Sequence, residues 1–509
     1  MTELPGGLFR GLTKLSVLRL QTNQLIQLSE NTFRDLDNLS VLDMTGNKLV
    51  TLPATLLKGL QNLQSVIFYR NPLASLDASA FSGLHNLSRL DFGANSLATL
   101  PNGLFKGLTR LEVLYLDGNQ VSIIHESVFN DLIRLSYLTL RDNKLATLSS
   151  SLFSELKNLD LLNLSGNHLV SLIESIFDGL ISLRYLYLDA NELTTLPDSI
   201  TSLFKLTTLG LHDNNLTTLP SMELDNLVEV YLYRNLLSTL SSNVFHNLNN
   251  LRIMNIYGNT IVSLPHNVFH NVTNLEYLFL HYNQLQSLSG DLFRGLRQLK
   301  ILDLSRNVLS HIEFDIFADT VAITYLDLSH NRLIDLPNIE YLNSLTSLVF
   351  RENILTDINH GTFSALAENS TLVVSQHEIC ECYAPSGVKC SASDERSPYL
   401  SCDRLLSDKV LVVLMWLIGL NALGGNVLVL IWRKVKTKRY KVQDVLLSNL
   451  AMSDSLMGLY MIIVSSADIY YGEYFPMQSE TWRTGITCRV AGALSITSTE
   501  LSVFFLVLC

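Results

Sequence analysis

Apolar positions along the first 355 residues follow two superposed periods. Within a short stretch they alternate, as in Leu18-Arg19-Leu20, and the whole phrase then returns after 24 residues. Leu15-Leu18-Leu20-Asn23-Leu25 spells LxxLxLxxNxL, and its asparagine recurs at 47, 71, 95, 119, 143, 167 and 191. With small slips it continues at Asn214, Asn235, Asn259, Asn283, Asn307, Asn331 and Asn353. The alternating leucines predict a short parallel strand that buries one face. The asparagine is expected where the chain leaves the strand, its amide bridging backbone groups of neighbouring turns. Phe9, Phe33, Phe81, Phe105, Phe129, Phe153 and Phe177 keep the same step, with Leu57 substituting once, and should close the far side of each coil. One such coil cannot bury its own apolar face, so the pattern predicts an α/β solenoid of about 15 stacked repeats. All these repeating residues read as core.

Binding chemistry then belongs to the variable positions on the concave sheet. In order these include Arg19, Asp43, Tyr69, Asp91, Tyr115, Asp117, Tyr137, Arg141, Tyr185, Tyr187 and Asp189. Glu229, Tyr231, Tyr233, Tyr257, Tyr277, Phe279, Asp303, Tyr325 and Asp327 follow. Aromatics gather from Tyr185 to Phe279, and acids outnumber the bases Arg19, Arg89, Arg141 and Arg351. A wall of tyrosine and carboxylate suits a basic polypeptide, and Asp117, Tyr185, Tyr187, Asp189, Glu229, Tyr231, Tyr233, Tyr257, Tyr277 and Phe279 are its candidate contacts. The preference of tyrosine for strands would produce the same enrichment.

After Asn353 the period fades. Cys380, Cys382, Cys390 and Cys402 follow within 23 residues. Cys380 and Cys382 lie too close for an easy mutual bridge, so each is expected to pair with Cys390 or Cys402. A zinc site is the competing reading, against which the irregular spacing speaks. Val410 to Trp432 is a charge-free run of 23 residues, about 34 Å as a helix and long enough to cross a bilayer. Arg433, Lys434, Lys436, Lys438, Arg439 and Lys441 follow it, which by the positive-inside rule sets that loop in the cytoplasm and the repeats outside. A second span is expected over Val445 to Ala467 with Asp454 inside it, then an acidic outer loop from Asp468 to Thr484. A third span runs from about Gly485 to Cys509 and carries Glu500. Domains are thus expected at 1–377 for the repeats, 378–409 for the cysteine hinge and 410–509 for the helices. Net charge is −11, which argues against a nucleic-acid partner, and the mean hydropathy of +0.24 reflects the C-terminal end.

Gly425-Asn426-Val427, Asn449-Leu450-Ala451-Met452-Ser453-Asp454 and Cys488 resemble the first three helices of rhodopsin-class G-protein-coupled receptors. Joined to the repeats, they resemble the leucine-rich-repeat-containing receptors. Cys382-Tyr383-Ala384-Pro385, Asp468-Ile469-Tyr470-Tyr471-Gly472-Glu473-Tyr474 and Ser498-Thr499-Glu500-Leu501-Ser502-Val503 are similar to the relaxin-receptor branch. The resemblance implies three helices of an expected seven, with an export signal, a cysteine-rich module and four more spans expected outside residues 1–509. It also implies a polar network through Asn426, Asp454 and Ser502 that borders a structural sodium ion, and a bridge from Cys488 to a loop beyond the chain. A peptide hormone outside and a heterotrimeric G protein inside would be the partners, at the plasma membrane.

Six N-x-S/T sequons, at Asn38, Asn86, Asn163, Asn215, Asn271 and Asn369, all precede the apolar helices and agree with an exported, glycosylated region. Asn163 falls on the concave side, where a glycan would obstruct binding. No G-x-S-x-G, Walker-type loop or H-E-x-x-H occurs, and the 12 histidines form no metal-ligand pattern, so no enzyme is expected. The remaining alternatives are a hormone receptor and a repeat-bearing adhesion or decoy protein that binds without signalling.

Overall fold

The computed structural model describes residues 1–5, 7–355, 362–393, 405–406, 409–436, 442–472, 482 and 485–507, in two compact units, Met1–Asp327 and Leu328–Cys509. The first unit is a solenoid. Three-residue strands from Val17–Arg19 to Tyr325–Asp327 pair in parallel, each middle residue buried and the residues on either side facing the concave surface. The register steps by whole repeats, Val17 opposite Val41 and Tyr277 opposite Ile301. It survives the two short repeats, since Tyr185 faces Thr208 and Thr208 faces Glu229. The missing residues are absorbed on the outer arc, where a 3-10 turn, Asp198–Ser202, replaces the usual succession of turns.

The asparagines do what their spacing predicts. Asn143 Nδ2 donates to Leu116 O at 2.9 Å in the preceding coil and to Leu140 O at 3.0 Å in its own, while Oδ1 accepts from Val121 N at 3.0 Å. Asn47, Asn71, Asn95, Asn119 and Asn167 repeat this set. The residue before each ladder asparagine is left-handed, with φ of 54° at Thr22, 52° at Asp142 and 65° at Gly166. That turn aims the asparagine inward, and its hydrogen bonds offset the strain of about 1 kcal/mol that a non-glycine residue bears there. On the outer side Phe81, Phe105, Phe129 and Phe153 stack at 6.4, 6.1 and 6.4 Å between ring centroids, all fully buried.

A second asparagine ladder escaped the sequence reading. Asn38, Asn62, Asn86, Asn158, Asn250 and Asn274 each donate from Nδ2 to a carbonyl 25 residues back, at 2.7 to 2.9 Å. Two of the six sequons, Asn38 and Asn86, belong to it. Asn215 is exposed, and Asn271 and Asn369 occupy left-handed turns with φ of 72° and 66°.

The second unit carries two more ladder asparagines, Asn331 and Asn353, and then a cap. Strand Thr371–Val374 pairs with Lys389–Ala392, and a short helix, α1 (His377–Cys382), lies between them in sequence. Cys380 is bonded to Cys390, with 5.4 Å between their Cα atoms, which ties α1 to the last strand. This selects one of the two pairings that the spacing left open. Cys382 is disulfide-bonded as well, and Cys402 lies outside the described residues.

Three long helices follow: α2 (Lys409–Lys436), α3 (Val442–Tyr471) and α4 (Ile486–Val507). Among the described residues, α2 and α3 are long and apolar enough to cross a membrane. The third expected span falls on α4, whose side chains beyond Leu501 lie outside the described residues. The acidic loop expected from Asp468 starts later. Helix α3 runs on to Tyr471, and Asp468 is buried, accepting a hydrogen bond from Leu406 N at 2.9 Å. Small residues bring the helices together. A Cβ on Gly458 would lie 2.7 Å from Gly419 O and 2.7 Å from Leu423 N of α2. Between α3 and α4, Ser453 Oγ donates to Ser498 O at 2.6 Å and Ser498 Oγ donates to Ser453 O at 2.9 Å.

Candidate concave docking site

Each strand presents two side chains to the concave surface, and the residue two places before the ladder asparagine presents a third. Three columns therefore run across the coils. The third column contains the most ordered feature of the face. His212, Tyr233, Tyr257 and His281 form one continuous stack, with centroids 4.3, 4.7 and 4.5 Å apart and interplanar angles of 20°, 8° and 6°. The ring spacing follows the strand spacing of about 4.8 Å, so one ring per coil packs flat on the next. Carboxylates close both ends. Asp189 Oδ2 lies 3.5 Å from His212 Nε2, and Asp303 Oδ2 lies 3.0 Å from His281 Nδ1. The second contact is close, although His281 Nδ1 makes no well-aligned hydrogen bond.

Around this stack sit most of the expected contacts. Tyr231 Oη donates to Glu229 Oε2 at 3.1 Å, and burial with the Glu229 charge pushes the Tyr231 phenol up to about 12. Burial, and then the same charge, also raises Tyr187. Gly210, on the strand between them, leaves a notch: a Cβ there would stand 3.0 Å from the Tyr187 ring and 3.2 Å from Asp189 Oδ1. Phe279 meets His281 edge-on at 6.3 Å. Tyr185 lies under the Arg184 guanidinium at 5.3 Å, and Tyr277 is half-buried in the strand Tyr277–Phe279. The structure thus gathers Tyr187, Asp189, Glu229, Tyr231, Tyr233, Tyr257 and Phe279, and adds His212 and His281. Sequence reasoning missed both histidines because it searched them only for metal-ligand spacing. Their signal was column membership, His281 lying 24 residues beyond Tyr257. Among the described residues no group of His, Cys, Asp or Glu could hold a metal ion.

Asp117 belongs elsewhere. It lines a separate concave pocket of about 390 Å³ with Tyr69, Arg89, Asp91, Tyr115, Tyr137, Thr139, Arg141 and Asn163. Arg89 lies over the Tyr115 ring at 4.6 Å and reaches Asp91 at 3.5 Å. Burial is the main force raising the carboxyl groups of both Asp91 and Asp117.

The acid surplus is also partly turn chemistry. Asp43 Oδ1 accepts from Thr45 N at 3.0 Å, Asp91 Oδ1 from Gly93 N at 3.0 Å, Asn163 Oδ1 from Ser165 N at 2.9 Å and Asp303 Oδ1 from Ser305 N at 3.0 Å. An Asp or Asn at the strand's third position caps the N–H two residues on, as in an Asx turn. These groups are engaged by the backbone of their own turns; Asp189, which accepts from Ser165 Oγ at 2.8 Å, and Glu229, which accepts from Tyr231 Oη, are engaged by side chains and are the carboxylates set among the stacked aromatics.

Asp303 gives a pH signature. Burial works against its ionisation, but His281 and Ser305 overcome this and hold the carboxyl below the usual aspartate value. A depressed folded value means stability that is present above the unfolded value of ~3.9 and is lost as pH falls through the folded one. Asp303→Asn is therefore expected to lower the Tm by ~2–4 °C at pH 7, with the gap to the parent protein closing below pH ~4. A gap that stays constant from pH 7 to pH 3 would contradict the pairing.

Among the apolar helices, Asn426 Nδ2 donates to Ala422 O of its own helix at 2.9 Å, and no hydrogen bond joins it to Asp454. Between α3 and α4 the Ser453–Ser498 pair makes the polar contact. Asp454 is half-buried on α3, the side chain of Ser502 lies outside the described residues, and the described side chains offer a sodium ion Asp454 alone. Cys488, whose expected bridge is to a loop beyond the chain, is a free thiol packed near Trp482 and Ala467, and no described cysteine pairs with it.

A parallel solenoid with an asparagine ladder and a phenylalanine spine is the leucine-rich-repeat architecture. The leucine rich repeat family matches residues 1–49, 61–121, 119–169, 166–216, 225–285 and 273–333, and the chain belongs to that family. A G-protein coupled receptor of Lymnaea stagnalis is 39% identical over 144 residues, 28% of this chain and 13% of that receptor. The follicle-stimulating hormone receptor of Bos taurus is 31% identical over 119 residues, 23% of this chain and 17% of that receptor. The matched stretches thus span less than a fifth of these relatives. Among solved structures, the glycosylated Toll–Spatzle complex of Drosophila aligns with a TM-score of 0.64 at 25% identity, over 74% of this chain and 54% of that one.

Proposed function

We propose that this chain is the repeat-bearing part of a cell-surface G-protein-coupled receptor whose concave face binds a basic polypeptide hormone of the relaxin or insulin-like kind. The carrying observation is the aromatic column flanked by Asp189 and Glu229, in a chain that also holds two helices apolar enough to cross a membrane. Rigid aromatics supply contact area at low entropic cost, and the half-buried carboxylates complement arginine or lysine. The relatives support a receptor, since both are receptors, and the Toll structure supports a polypeptide ligand, since Toll is there in complex with Spatzle. In this reading the repeats face outward at the plasma membrane, the chain belongs to the relaxin-receptor branch, and a heterotrimeric G protein couples inside to the full-length receptor.

The test uses the full-length receptor on cells with a labelled relaxin or insulin-like peptide. Asp189→Ala with Glu229→Ala is expected to weaken binding about 10- to 30-fold while surface staining is unchanged. Unaltered affinity would remove the site from this face. Binding without any G-protein response in the parent receptor would instead favour the adhesion or decoy reading.

A further inference from the structure

The pocket around Asp117 plays no part in the docking reading, and a glycosylation sequon stands on its wall. Asn163 lines it and opens the sequon Asn163-Leu164-Ser165. We infer that this pocket binds an uncharged saccharide, and that its occupant is the first sugars of a glycan carried by Asn163 itself. The inference goes beyond the docking reading and shares with it only that the repeats are exported.

Charge selects the ligand class. In the lining, the acids Asp91 and Asp117 are matched by the bases Arg89 and Arg141. Asp142, which is not part of the lining, meets Arg141 at 3.3 Å where both are exposed. A balanced lining draws neither a basic nor an acidic ligand, but it suits a polyol, whose hydroxyls both donate and accept. Tyr115 and Tyr137 add apolar ring surface, with centroids 5.1 Å apart and planes at 46°. Arg89, over the Tyr115 ring at 4.6 Å, fixes that ring in place. Among the described residues no side chain donates to the Asp117 carboxylate, whose ionisation burial opposes, so hydroxyl donors would meet an open acceptor there.

Register selects the source. Thr139 is paired with Tyr115 on one side and Asn163 on the other. It is small and buried, and forms a floor between them. Beyond Asn163 the same column is filled by Tyr187, so the free space lies on the Thr139 side. Asn163 and Tyr115 stand two strand spacings apart, about 10 Å, which the first sugars of a glycan can cover. Asn38 and Asn86 spend their Nδ2 on carbonyls of the outer ladder, whereas Asn163 uses only its Oδ1, toward Ser165 N. Its Nδ2 is available to bond the anomeric carbon of a lipid-pyrophosphate-linked oligosaccharide, losing one proton as the lipid pyrophosphate leaves. A sugar tethered at the wall has an effective concentration of about 1 mM, so a pocket with a Kd of ~0.1 mM would be filled about ten to one.

Glycopeptide mass spectrometry of the full-length receptor, expressed in animal cells, should find Asn163 occupied. Native digestion with peptide N-glycosidase should release that glycan about tenfold more slowly than one at exposed Asn215 or Asn369. Thr139→Phe fills the floor with a ring of the kind that Tyr115 and Tyr187 already place in that column, and should bring the rates within about threefold. A glycan released from the parent as fast as those at the exposed sequons overturns the proposal, and so does one equally slow in Thr139→Phe. An unoccupied Asn163 overturns the tethered source, and free N,N′-diacetylchitobiose then tests the chemistry. Binding to Asn163→Gln that Thr139→Phe abolishes would assign the pocket to a saccharide borne by another molecule. No binding would overturn the site altogether.

Discussion

Asn143→Ala is expected to destabilise the solenoid by about 3–5 kcal/mol, enough to melt the coils on either side under conditions where the parent chain stays folded. The side chain is buried and satisfies Leu116 O, Leu140 O and Val121 N at once. Alanine leaves Val121 N buried without a partner, at about 1–3 kcal/mol, and takes one of two donors from each carbonyl, at about 0.5–1.5 kcal/mol apiece, since Leu116 O keeps Asn119 Nδ2 and Leu140 O keeps Asn167 Nδ2. It also removes the bonds that hold Asp142 in its left-handed turn, with φ of 52°. Because a solenoid is stabilised by nearest-neighbour interfaces, the damage should spread to adjacent coils and leave distant ones intact. Hydrogen exchange by mass spectrometry checks both parts: protection should collapse around residues 116–145 and persist around Tyr277–Phe279. Uniform protection throughout would mean that the ladder contributes far less than its geometry implies.

Gly458→Leu is expected to separate α2 from α3. A side chain at 458 collides with the Gly419 carbonyl and the Leu423 amide, both backbone atoms of α2 that cannot swing aside. Close helix approach at small residues is how apolar helices associate in lipid, where burial of apolar surface supplies no drive. Overpacking such a contact costs about 1–3 kcal/mol and occasionally more. Titration with sodium dodecyl sulfate, followed by the fluorescence of Trp416 and Trp432 on α2, should show the variant unfolding at a lower detergent fraction. Gly424→Leu, where an added Cβ meets nothing within 4 Å, is the control and should behave as the parent. Identical curves for all three chains would mean that the Gly419–Gly458 contact does not hold the pair.

Much of the candidate site was visible in the sequence because the repeat converts position into geometry. Once Leu18 and Leu42 are known to point inward, Arg19 and Asp43 must share the opposite face, and Tyr233 and Tyr257 must lie one coil apart. The errors came where a side chain's partner was at issue. Asp43, Asp91 and Asp303 count toward the acid surplus of the concave wall, but each is engaged by a backbone N–H two residues on. Asp117 read as part of the tyrosine wall and lies in a different pocket. His212 and His281 were passed over because stacking is a relation between rings in separate coils. The same holds for Asn426, whose amide turns to its own helix, and for Asp468, which the hydropathy pattern left in a loop although the fold buries it.

Periodicity by itself determined the solenoid, its strand faces, its asparagine ladder and the presence of long apolar helices, since these depend on which residues recur and how far apart. Only the tertiary structure decided which carboxylates are engaged, that two imidazoles cap a tyrosine stack and that Cys380 takes Cys390. Partnership depends on distances of 3 to 5 Å between residues 10 to 24 positions apart, and those distances are set when neighbouring coils pack.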